Sequence, residues 1–222
     1  MEPGKLYHLY THANGNENLF RTDENYRFFL KRYAHFISPV ADTWVYCLMP
    51  NHLHFLIRIK EEKEIIETFT TDQTNSSSNN KTSKVFKNLG GLDGNLARSP
   101  DKNLNGGLDA IEKRISQQFS NLFNSYTKAY NKVYARRGSL FIPNFKREEI
   151  TDDTYLSNII IYIHNNPVHH GFVKNSVDWQ WSSYNAFLTD KPTSLKREEI
   201  LKWFGNREAF LKFHLKPATL MI

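Results

Sequence analysis

Apolar and polar residues change their period several times along the chain, and each change marks an element. "KLYHLYTHA", from Lys5, alternates closely enough to predict a first strand. In "NENLFRTDENYRFFLKRYAHFI", Tyr26, Phe29, Leu30, Tyr33 and Phe36 recur at helical spacing, with Asp23 placed to cap them. "DTWVYCLMP" and "HLHFLIRIK" are β-rich runs, and Pro50-Asn51 between them is a turn signal. The opening order is therefore strand, helix, strand, strand.

From Thr71 to Asp109 the pattern dissolves. This stretch holds five of the ten glycines and no tyrosine or tryptophan. Its echo, "KNLGGLD" and "KNLNGGLD", is too short and polar for a solenoid. The reading is a flexible insertion without the apolar surface to fold alone. Helical periodicity returns with Ile115, Phe119, Leu122, Phe123, Tyr126 and Tyr130, and Gly138 stands as the stop signal. "SLFIPNFKREEI" is strand-like, Pro143 pointing to an edge or bulge. "TDDTYLSNIIIYIHNNP" predicts a helix capped by Thr151 or Asp152 and limited by Pro167. A Trp-rich connector, "DWQWSSYNAFL", leads to two terminal helices, "KREEILKWFG" and "REAFLKFHL".

A chain of 222 residues is long enough for one domain with an elaboration. Its net charge of +6 suits a polyanionic partner, although simple solubility explains it equally. The single cysteine, Cys47, excludes an intrachain disulfide and fits a reducing cytoplasm. There is no apolar run of transmembrane length, and the opening segment lacks the apolar core of a secretory signal. Calcium loops, zinc-knuckle spacings and Gly-rich phosphate loops are absent.

Two candidate sites stand out. In an extended strand, residues two apart share a face, so His52 and His54 point together while Leu53, Phe55, Ile57 and Ile59 point to the core. Their Cα atoms would lie about 6–7 Å apart, close enough for both rings to reach one cation. Two imidazoles with oxygen ligands suit Mg²⁺, Mn²⁺ or Zn²⁺; hydrogen-bonded histidines on a sheet face are the plainer alternative. In the later helix, Tyr162 and Asn166 stand at i and i+4 on one face, with Leu156, Ile159, Ile160 and Ile163 on the docking side. A tyrosine can serve as nucleophile and an asparagine oxygen as hard-metal ligand. Tyr155, one heptad earlier, reads as structural.

"MPNHLHFLI" closely resembles the metal-binding segment of the single-tyrosine HUH transposases. "YIHNNPVHHGFV" resembles the nucleophile helix of one branch, the REP-associated tyrosine transposases. "GSLFIPNFKREEI" and "DWQWSSY" also look like that branch, and the resemblance runs from about Leu6 to Phe187. It implies an α+β fold of the ferredoxin-like HUH type, a central antiparallel sheet with packed helices. It implies metal ligation by His52, His54 and Asn166, attack by Tyr162, and a Mg²⁺ or Mn²⁺ cofactor. The implied reaction is cleavage and rejoining of single-stranded or hairpin DNA through a 5′-phosphotyrosine, by a monomer or homodimer. The polar insertion departs from the family's compact pattern. On this reading residues 1–190 form the transposase domain and residues 191–222 a C-terminal helical extension.

Between Lys113 and Arg147 there are eight Lys or Arg and no acidic residue. Arg136, Arg137, Lys146 and Arg147 are candidate DNA contacts, and Tyr126, Tyr130, Tyr134, Phe141 and Phe145 are core residues or stacking platforms. His169 and His170 read as exposed or phosphate-facing. Two rival readings remain: a catalytically silent hairpin-DNA-binding protein of the same fold, and a phosphoesterase that uses water as nucleophile.

Overall fold

Strand β3, His52–Ile59, buries seven of its eight residues. The computed structural model describes residues 1–78 and 107–215. Within them β3 pairs antiparallel with β2, Ala41–Leu48, and with β1, Leu6–His12. β1 in turn pairs with the short edge strand β4, Lys146–Glu149, giving the order β2-β3-β1-β4. The fold is α+β around a central antiparallel sheet, as the residue pattern and the resemblance both imply.

Antiparallel sheets often leave one face wet, and their strands then alternate apolar with polar. Here helices cover both faces. Leu53, Phe55, Ile57 and Ile59 join Tyr26, Phe29 and Tyr33 of α1, Asp23–Ile37, and Ile115, Phe119 and Leu122 of the long helix Gly107–Val133. On the opposite face Leu56 joins Val45 and Cys47 of β2 and Leu156, Ile159, Ile160 and Ile163 of the helix Asp153–His169. A bulge between Thr43 and Val45 lets Trp44 and Val45 both reach this second core. Each buried Leu or Ile contributes about 1.5–3 kcal/mol, so that helix is docked firmly across the sheet. The histidine side of β3, expected to face away from the core, is thus itself enclosed.

Several boundaries differ from the sequence reading, each for a local reason. Thr22, not Asp23, is the N-cap of α1, and Asn25 Oδ1 accepts from the backbone amides of Arg21 and Thr22. A helix absent from the sequence reading, α2, spans Glu62–Ser78; of its side chains described, those of residues 62–71, Ile65 alone is fully buried. It takes up residues 71–78 of the expected flexible insertion, with Thr70 and Thr71 hydroxyls bonded back to the carbonyls of Ile66 and Glu67. Residues 107–109 begin the next helix, α3 (Gly107–Val133), and the rest of the expected insertion lies outside the described residues. α3 ends at Val133, before Gly138, which supplies a turn with φ 86°. The helix Asp153–His169, α4, is capped by Asp152, whose carboxylate accepts from the Tyr155 amide. It runs two residues past Pro167, which sits in the last turn, where few i→i−4 bonds remain to be lost.

After a 3₁₀ turn, Ser176–Asp178, come α5, Tyr184–Phe187, α6, Arg197–Trp203, and α7, Arg207–His214. Ile200, Phe204 and Phe210 join the core beneath α4, so the expected C-terminal extension shares its core with the rest as far as it is described. A buried polar chain fixes α7 to α4. His214 Nδ1 donates to the Phe210 carbonyl (2.8 Å), which leaves His214 Nε2 to accept from His164 Nδ1 (2.9 Å). His164 Nε2 then accepts from the Ser183 hydroxyl (2.8 Å), and Ser183 Oγ accepts from the Tyr46 amide (2.8 Å).

Burial holds the His214 pKa at about 4 and pushes that of His164 well below its ordinary value. In the unfolded chain both titrate near 6.5. The native contribution is therefore complete above about pH 6.5 and is lost as the unfolded state takes up protons between about 6.5 and 4. For His214 alone this is on the order of 3 kcal/mol at the acid end. Thermal melts from pH 7 to 4.5 should fall steeply for the wild-type chain and less steeply for His214→Phe.

Candidate active site

β1 and β3 bring their polar alternates together. In their register His12 lies opposite His52, Tyr10 opposite His54 and His8 opposite Leu56. All five polar side chains therefore share the face that α4 crosses. On α4, Tyr162 and Asn166 are one turn apart and turned to the sheet. His52 Nε2 lies 2.8 Å from Asn166 Oδ1, and the Tyr162 ring meets the His54 ring edge-on with centroids 5.5 Å apart. The four residues singled out from sequence, His52, His54, Tyr162 and Asn166, therefore converge, although 108 positions separate His54 from Tyr162.

The pair is enclosed: His52 is 3% exposed, His54 4% and Asn166 0%. Burial lowers the His52 pKa to about 4, the Asn166 contact opposing it. Burial, followed by the neighbouring imidazoles led by His8, pushes His54 well below its ordinary value. Both rings are thus neutral near pH 7, the form that ligates metals. For Tyr162 burial raises the pKa, while the adjacent Asn166 side chain pulls it down.

The hydrogen-bond arrangement tests whether a cation fits. His52 Nδ1 is 2.8 Å from Asn51 Oδ1, so both its nitrogens face amide oxygens, yet a neutral ring has one N–H. If Nδ1–H donates to Asn51, the lone pairs of His52 Nε2 and Asn166 Oδ1 face each other. Two ligands at ~2.1 Å and right angles lie about 3 Å apart, close to the 2.8 Å seen. Asn166 Nδ2 is buried and has no hydrogen-bond partner among the described residues. Among the described residues no three His, Cys, Asp or Glu side chains converge as a metal site. A cation here would draw on two imidazoles, the Asn166 oxygen and ligands from outside the chain, a set suited to Mg²⁺ or Mn²⁺ with open positions.

Strands β1 and β4 add residues that the sequence reading passed over. His8 Nε2 contacts His54 Nδ1 at 3.0 Å, and the His12 and His52 rings stack with centroids 4.9 Å apart. Glu148 of β4 accepts from Tyr10 (2.9 Å) and from Tyr155 (2.8 Å) at the rim. The signal was present: His8, Tyr10 and His12 occupy alternate positions of one strand. His169 and His170 are exposed beside the site, with ring centroids 6.0 Å from Tyr162 and 4.8 Å from His52 respectively.

The four basic candidates separate. Arg136 is held inside its own loop, donating to Glu17 (2.6 Å), Asn131 (2.8 Å) and the Gly138 and Ser139 carbonyls. Arg137 is exposed. Lys146 lies opposite Tyr10, on the face of Tyr162. Arg147 lies opposite Leu9, on the other face, and lines an open groove of about 920 Å³ beside α3 with Asn124, Lys128 and Phe141. Of the aromatic candidates, Tyr126, Tyr130 and Phe141 are buried, and Tyr134 and Phe145 are half-buried against the same core. Among the described residues no helix is long and apolar enough to cross a membrane.

The sequence matches no protein-family profile and no curated protein. Its structure is similar to that of a REP-associated tyrosine transposase solved bound to a REP hairpin, with a TM-score of 0.51 over 85% of this chain and 81% of the other. The two sequences are 14% identical over that match. The four-stranded antiparallel sheet with its packed helices is thus a fold that this chain shares with a REP-associated tyrosine transposase.

Proposed function

We propose that this chain is a single-tyrosine DNA transposase of the REP-associated kind, cleaving and rejoining single-stranded, hairpin-forming DNA. One observation carries the reading: two neutral imidazoles, an amide oxygen and a tyrosine from remote segments meet on one sheet face. The fold shared with a transposase that binds a REP hairpin supports hairpin DNA as the substrate class.

His52 through Nε2, His54 through Nε2 and Asn166 through Oδ1 would hold a Mg²⁺ or Mn²⁺ ion. When bound, that ion supplies Lewis-acid polarisation of a non-bridging phosphate oxygen. Asn51 holds the His52 ring in the required tautomer. Tyr162 Oη attacks the phosphorus, its bond to the 3′-oxygen breaks, and the products are a 5′-phosphotyrosine and a free 3′-OH. Burial makes the phenol harder to ionise, so loss of its proton would need help from a base or from the bound cation. A second 3′-OH attacking the phosphotyrosine restores a phosphodiester and releases Tyr162, so the chain transfers strands as well as cutting them. Lys146, on the same face, would meet DNA phosphates; Arg137 and Arg147 would serve DNA outside the cleavage face, and Arg136 would act through the loop it holds.

The test is to incubate the protein with end-labelled hairpin DNA and Mg²⁺ or Mn²⁺ and resolve the products on a denaturing gel. A labelled band at protein size, lost on chelation, is expected. Cleavage without that band would indicate water as nucleophile, and binding without cleavage a silent hairpin binder.

A further inference from the structure

His8 is the most enclosed polar residue beside the site that the mechanism leaves without a task. It lies on β1 at 0% exposure, and among the described residues its one side-chain hydrogen bond is the one to His54. Its Nδ1 is buried with no partner. A leucine here would cost less, because an unpaired buried polar atom is unfavourable by about 1–3 kcal/mol. The His8 and His54 rings are 11° from parallel with centroids 5.3 Å apart, and their facing nitrogens are 3.0 Å apart. The contact is therefore edge to edge, and it fixes the His54 ring plane.

A nitrogen–nitrogen contact of 3.0 Å holds one proton, in one of two ways. If His8 Nε2–H donates to His54 Nδ1, the other nitrogen of His54 carries the remaining proton and offers no lone pair. If His54 Nδ1–H donates to His8 Nε2, His54 Nε2 keeps its lone pair, on a ring whose centroid lies 5.3 Å from that of His52 and 5.5 Å from that of Tyr162. Only the second arrangement allows His54 to bind a cation, and it asks of His8 that it accept. We infer that His8 is a positioning residue of this site, accepting the proton of His54 Nδ1 and so presenting His54 Nε2 to a divalent cation. The inference rests on the metal reading above and deepens it. It assigns to β1 the orienting role for His54 that Asn51 plays for His52.

The experiment is a calorimetric titration of the DNA-free protein with Mn²⁺, comparing wild type with His8→Leu, His8→Gln and His54→Ala. His8→Leu should weaken Mn²⁺ binding about 10–100-fold, and His8→Gln, whose oxygen can accept from Nδ1–H, should recover most of that loss. Wild-type affinity in a folded His8→Leu, or equal loss in folded Leu and Gln variants, overturns the inference while leaving the metal reading intact. Failure of the wild type to bind, or an affinity unchanged in His54→Ala, overturns the metal reading itself and the inference with it. A second readout needs no variant. Imidazole ¹⁵N spectra of the wild-type chain with Zn²⁺ as a diamagnetic probe should place the remaining His54 proton on Nδ1. A proton on Nε2 of the metal-loaded chain overturns the inference.

Discussion

Tyr162→Phe should abolish the covalent protein–DNA product and reduce strand cleavage by at least about 10³-fold, while the chain keeps its fold. The substitution removes one oxygen and leaves the ring. The Tyr162 ring meets His8 and His54 edge-on, with centroids 6.5 and 5.5 Å away, and His169 at a tilt with centroids 6.0 Å apart. Phenylalanine keeps those contacts, and the half-buried position tolerates loss of a hydroxyl. The melting midpoint should therefore stay within about 3 °C of wild type. Tyr155→Phe is the matched control on the same helix. Its hydroxyl donates to Glu148 and not to the site centre, so the adduct should persist. A gel with all three proteins, beside their thermal melts, separates lost chemistry from lost structure.

His54→Ala should weaken Mn²⁺ binding by at least about 100-fold and reduce cleavage accordingly. The protein offers two imidazoles and one amide oxygen, so removing either ring takes away a large part of the donor set. The lesion also strips the His8 side chain of its one hydrogen-bond partner among the described residues, which should cost about 1–3 kcal/mol of stability. Chelation of the wild-type chain should reproduce the loss of cleavage without that change in stability. Titrating Mn²⁺ back should restore the chelated wild type fully and His54→Ala only at far higher concentration. The comparison assigns the catalytic loss to the ion and the stability loss to the orphaned His8.

Much of this arrangement was legible in short stretches of sequence. The alternation of "HLHFLI" put both histidines on one face, and the i, i+4 spacing of Tyr162 and Asn166 put both on another. What local patterns could not reveal was the meeting of the two. His54 and Tyr162 belong to elements joined only through the tertiary fold, and the resemblance of two motifs to one transposase family paired them. β1 was read as a strand but not as part of the site. With helices on both faces of the sheet, aromatics and histidines are buried on either side, and alternation no longer marks which side is core. α2 escaped notice because, among its described side chains, Ile65 alone is fully buried and its neighbours are charged or half-covered. Arg136 read as a candidate DNA contact because its partner, Glu17, lies 119 residues away in sequence. The Pro167 boundary failed by two residues because proline near a helix end removes little.

The most direct measurement of the central claim is to trap the protein on hairpin DNA and digest the DNA to its last nucleotides. Mass spectrometry of the proteolysed chain then maps the modified residue. The account predicts a nucleotide joined through its 5′-phosphate to the peptide that carries Tyr162. It is contradicted by a nucleotide on Tyr10, Tyr155 or any other side chain, or by cleaved DNA with a free 5′-phosphate and no modified peptide.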